Sequence, residues 1–170
     1  MVFRSGVAAA AALMLAFVGF DATGAAASKT AAPTGCALVP IALLENTFGE
    51  KFDDPPLETP AAPAYDGPEG KSCQFFSKPP FALGHQTRVD FVVYQESSAK
   101  VARDTFDKVK VYLADNSKGT PSIGDEAYWW VTDDESSLLV LKGNTHFSLG
   151  IQPKNEAQVM GLAATIAKEF

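Results

Sequence analysis

"IGDEAYWWV", residues 123–131, decides how the chain is read. It carries both tryptophans side by side, directly after a Gly-Asp-Glu turn. Neighbouring side chains on a β-strand point to opposite faces of the sheet. Trp129 and Trp130 therefore cannot enter one core from one strand. Ala127, Trp129 and Val131 share one face; Tyr128, Trp130 and Thr132 share the other. The first set is plain core. The second mixes aromatic rings with hydroxyls, and something must cover it or bind to it.

Outward from this strand the pattern repeats. "SLLVLKG" and "THFSLGIQ" are strand-like, with turns at "DDES" (133–136) and "GN" (143–144). On the last strand Phe147, Leu149 and Ile151 face one side; His146, Ser148, Gly150 and Gln152 face the other. "QTRVDFVVYQ", 86–95, alternates in the same way, with Val89, Phe91 and Val93 opposite Arg88, Asp90, Val92 and Tyr94. "KSCQFFS", 71–77, is a short strand.

Three segments have helical spacing. Residues 39–48 run from Pro40 to a stop at Gly49, with Leu38, Ile41, Leu44 and Phe48 on one stripe. Residues 98–114 carry Ala102, Phe106, Val109 and Leu113, with opposite charges at i,i+4 on the wet face. Residues 155–169 carry Val159, Leu162 and Ile166, with Phe170 expected to extend the same stripe. Between the first helix and first strand, residues 53–70 hold five prolines, which rules out helix and central strand. That segment reads as a surface loop or a lid. The predicted order is α-β-β-α-β-β-β-α, and strands joined by short turns are antiparallel. The fold class is α+β: a single antiparallel sheet of about five strands with three helices, in one domain over 36–170.

The N-terminus reads as a separate signal. Arg4 is followed by "GVAAAAALMLAFVGF", 6–20, and small residues at 25–27. Its 15 apolar residues fall short of the roughly 20 a transmembrane helix needs. Residues 1–27 are expected to be a secretory signal peptide and 28–35 a tether. The destination is then periplasmic or extracellular, with no transmembrane segment in the mature protein. In an oxidising compartment the two cysteines, Cys36 and Cys73, read as one disulfide. A net charge of −6 with no Lys/Arg cluster argues against nucleic acid.

A cysteine-led first helix, a second cysteine on the first strand, and "GDEAYW" followed by a hairpin containing "LVLKGN" resemble a class of exported bacterial domains of unknown function. These are lipoproteins and periplasmic proteins, described best in actinobacteria. Cys36 departs from the lipoprotein members, because Pro33 stands where a lipobox has a branched apolar residue. Some such proteins are similar to the PsbP-like α/β/α sandwich. The resemblance implies helices on both faces of an antiparallel sheet and an exported location. It implies no settled activity.

No GxSxG, HExxH, Walker A or GxGxxG motif occurs. No cofactor or metal is expected. His146 is the histidine around which a Ser-His-Asp hydrolase could assemble. Otherwise the mixed sheet face is the candidate site, with Tyr128, Trp130, His146, Arg88, Asp90 and Tyr94 as binding residues. Its expected partner is an envelope protein or a small apolar ligand. The other reading is a structural or assembly protein of the envelope, with a helix covering that face. In the open-face reading, Trp129 is core and Trp130 lies nearer the site, so Trp129→Ala costs more stability than Trp130→Ala.

Overall fold

The computed structural model describes residues 35–63, 68–82 and 84–170. The expected signal peptide and nearly all of the tether lie outside them. The described chain is α+β, with three α-helices and one fully antiparallel sheet. The helices are α1 (Ile41–Phe48), α2 (Ala99–Leu113) and α3 (Glu156–Ile166). The strands are β1 (Leu57–Ala61), β2 (Gly70–Phe76), β3 (Arg88–Gln95), β4 (Ser117–Gly119), β5 (Glu126–Val131), β6 (Ser136–Lys142) and β7 (Thr145–Gln152). They lie side by side as β1-β2-β3-β7-β6-β5-β4.

The expected count of five strands is corrected to seven, and the order becomes α-β-β-β-α-β-β-β-β-α. Both additions are edges. β1 comes from the proline-rich stretch, pairing with β2 through Leu57↔Gln74 to Ala61↔Gly70. An edge strand bonds on one side only, so a residue without an N–H, here Pro60, is tolerated where a central strand would lose a rung. β4 is three residues long, pairs with β5, and shifts register between Ser117 and Gly119.

Strand alternation fixes the first face. Cys73 and Phe75, Val89, Phe91 and Val93, Leu138 and Val140, and Phe147, Leu149 and Ile151 are buried there in one cluster. Leu44 and Phe48 of α1 close it, with Val159, Leu162, Ala163 and Ile166 of α3. Gly49 ends α1 at φ 69°, its N–H donating to the Glu45 carbonyl, which is the left-handed stop that glycine supplies cheaply. A disulfide joins Cys36, in a 3-10 turn at Gly35–Leu38, to Cys73 on β2.

α2 lies on the opposite face. Ser98 caps it, its hydroxyl accepting the Val101 N–H at 3.2 Å. Ala102 and Phe106 pack on Tyr128, Leu139 and Leu141, with Val109, Leu113 and Trp130 at the margin. This explains why β6 is buried along almost its whole length: a continuous apolar run is what a strand covered on both faces needs. Glu126 clamps the helix to β5, its carboxylate meeting Arg103 and, at 2.7 Å, Lys110.

The two tryptophans therefore have separate cover. Trp129 packs against the first core, Trp130 against the α2 cluster, and both are half-buried. The contrast expected from the open-face reading narrows accordingly. Trp129→Ala and Trp130→Ala are each expected to cost about 2 kcal/mol, below the 3–5 typical of a fully buried ring. Urea denaturation of both variants checks this; a loss confined to Trp129→Ala would mean that α2 does not hold Trp130.

Candidate functional site

By register, all six residues singled out from the sequence share the second face. Arg88 pairs with Gln152, Asp90 with Gly150, Tyr94 with His146, and Tyr128 and Trp130 follow through Leu139 and Ser137 on β6. They do not form one concavity. α2 packs over β6 and β7, and Tyr128 is buried in its cluster. Arg88 and Asp90 stand on the other half of the face, away from that cluster.

That other half is largely paired within itself, although Arg88 Nε makes no well-aligned hydrogen bond. Arg88 holds Asp90 through an ion pair at 2.7 Å and a second contact at 2.9 Å, and Gln74 donates to Asp90 at 2.9 Å. Glu135 accepts from Ser137 and from Gln152, and its carboxylate lies over Gly150, where a Cβ would collide with it. Most of their donors and acceptors are thus engaged with one another.

Tyr94 and His146 are structural in geometry. The Tyr94 ring lies over Gly70, whose absent Cβ would sit 2.6 Å from it, and burial raises the phenol's pKa. Its hydroxyl donates to the Ala62 carbonyl at 2.9 Å, tying down the chain beyond β1. The ring stacks on His146 at 4.9 Å. His146 Nε2 lies 3.1 Å from Glu96 Oε1, with both side chains 1% exposed. Asn144 locks Glu96 in place through two backbone contacts, at 2.8 and 3.0 Å.

Burial pushes the His146 imidazole below its ordinary value of 6.5, against the opposing pull of Glu96. The unfolded chain thus takes up a proton near pH 6.5 that the folded chain resists, so this contribution to stability is present above that pH and lost as pH falls. Denaturation at pH 7.5 and 5.5 is expected to show lower stability at 5.5, with a smaller difference in His146→Gln. Stability that rises on acidification would show instead that the native state favours the imidazolium.

Among the described residues, a concavity lies instead on the first face, at the sheet end that holds the β6–β7 turn. It is a cleft of about 370 Å³. Leu38, Val93 and Phe170 supply its apolar surface, and Phe170 stacks on Phe147 at 5.8 Å while staying 40% exposed. Gln95, Asn144 and Thr145 add polar groups, and Glu69, Lys71, Lys142 and Glu169 carry its charges. The 3-10 turn that contributes Leu38 is the one pinned to β2 by the disulfide. A neighbouring hollow of about 430 Å³ beside Ser122–Gly124 is shallower and shares Lys142 and Phe170.

The sequence reading missed this cleft. Its residues come from the 3-10 turn, β2, β3, the β6–β7 turn and the segment after α3, so no spacing along the chain brings them together. Asp125 shows the same kind of turn chemistry: it accepts the Gly143 N–H at 2.7 Å and Lys142 at 2.9 Å, which lowers its carboxyl pKa. Among the described residues, no cluster of three metal-ligating side chains occurs, and no helix is long and apolar enough to cross a membrane. No protein-family model and no curated protein matches the chain.

Proposed function

We propose that this chain is an exported cell-envelope domain that binds rather than catalyses, and that the cleft beside the disulfide takes a small apolar ligand. The cleft carries the reading. Its volume lies near the low end of the roughly 300–1,000 Å³ range of small-molecule sites, and an apolar floor with a few polar groups is what such sites need. Hydrolysis through His146 has less support: its hydrogen bond goes to Glu96, and the ring is closed from solvent. Export rests on the apolar segment behind Arg4, and the disulfide supports it. N-terminal sequencing should find exported protein beginning near Ala25 or Ser28; an intact Met1 would defeat that part.

Binding is tested with the apolar dye N-phenyl-1-naphthylamine. Phe170→Ala, at an exposed position, is expected to weaken dye binding several-fold. A second reading, an assembly protein that docks through a helix surface, draws on Val111 and Tyr112 at the end of α2, 76% and 83% exposed. Val111→Ser with Tyr112→Ser should leave dye binding unchanged. Loss of binding in that variant, with Phe170→Ala unaffected, would favour the second reading.

A further inference from the structure

Resting on the cleft reading, we propose that its ligand carries a protonated amine. The floor side chains, Leu38, Val93 and Phe170, carry no charge, so selectivity among side-chain contacts comes from the rim. Both rim lysines are already engaged. Lys71 Nζ lies 2.9 Å from Glu58, and Lys142 Nζ lies 2.9 Å from Asp125. Asp125 is a firm partner, because the Gly143 N–H holds the same carboxylate. Glu69 and Glu169, by contrast, have no ion pair among the described residues and stand exposed at the mouth. The rim thus leaves two carboxylates uncompensated beside an apolar surface. A ligand with an apolar body and an ammonium group meets both features at once. A carboxylate meets like charge, and a neutral analogue gains only the floor.

The test uses the oxidised protein and three probes with one body: 3-phenylpropylamine, 3-phenylpropan-1-ol and 3-phenylpropanoate. Affinity and position are read together from backbone amide shifts of Val93, Thr145 and Phe170. The amine is expected to bind about tenfold tighter than the alcohol, and the acid more weakly than either. Glu69→Gln with Glu169→Gln should bring the amine to the alcohol's affinity and leave the alcohol unchanged. Asp133→Asn with Asp134→Asn, at exposed positions on the β5–β6 turn, should change neither. Equal binding of all three probes overturns the amine assignment while the cleft reading stands. Failure of every probe to shift the cleft amides overturns both. An amine preference that weakens equally in the Asp133/Asp134 variant reflects the chain's net charge of −6 and overturns the assignment.

Discussion

Removing the disulfide, by Cys36→Ala with Cys73→Ala, is expected to lower stability by about 4 kcal/mol. The two cysteines are 37 residues apart, and closing a loop of that length restricts the unfolded chain by about this amount in the chain-entropy account. For a domain of this size the melting temperature should fall by about 10 °C or more. Both sulfurs lie in the first core, so alanine is the cleaner replacement, since it adds no buried hydroxyl. Native protein treated with reductant gives the matching measurement without a change of side chain. The bond has a local role as well. It holds the turn that carries Leu38 against β2, so the variant should also bind the naphthylamine dye more weakly at temperatures where it remains folded. A reduced protein that melts within 2–3 °C of the oxidised one would show that core packing alone holds the turn.

Gly124→Ala should be the most damaging single-methyl change, and Gly49→Ala is its internal control. The two glycines have nearly the same backbone, φ 66° and 69°. Both substitutions therefore carry the left-handed penalty of about 1–2 kcal/mol. Their surroundings differ. A Cβ at Gly49 meets nothing within 4 Å. At Gly124 it would sit 2.5 Å from the Leu141 carbonyl oxygen and 2.7 Å from Val140 Cγ1. The first of these is backbone of β6, a strand paired on both sides, and the Asp125 N–H donates to that same oxygen at 2.8 Å. The entry to β5 must shift to make room. Gly49→Ala is expected to cost about 1 kcal/mol and Gly124→Ala about 3 kcal/mol or more. Equal midpoints in guanidinium titrations would mean that the turn yields without disturbing β5 and β6.

What was legible in the sequence follows from how local each feature is. β3 and β7 alternate strictly, and both alternations hold in the register between them. The α2 stripe, the Gly49 stop and the hairpin turns are also local patterns, and each is found where the spacing placed it. The cysteine pairing needed only a count of two. β1 was hidden because its prolines signal a loop, and only the neighbour Gly70–Phe76 makes an edge strand of it. β4 was hidden because three residues carry no period. The question raised by Trp129 and Trp130 depended on where α2 lands, and an amphipathic stripe does not name the half of a sheet it will cover. For the candidate site, the shared face of Arg88, Asp90, Tyr94, Tyr128, Trp130 and His146 was readable from alternation. The division of that face by α2, and the pairing of its charges with one another, belonged to three-dimensional neighbours.

The sheet's two margins carry a consequence for how the molecule behaves in a crowded solution. An open sheet ends in unpaired N–H and C=O groups, a template on which another copy can extend the ladder into a fibre. Here one margin is interrupted by Pro60, which offers no donor, and is flanked by the charged pair Glu58 and Lys71. The other is only three residues long and loses register within that length. Neither presents the long, flat, apolar border from which amyloid-like stacking grows. Pro60, one of the prolines that disguised β1 as a loop, thus acts as a guard against strand-on-strand growth at that margin.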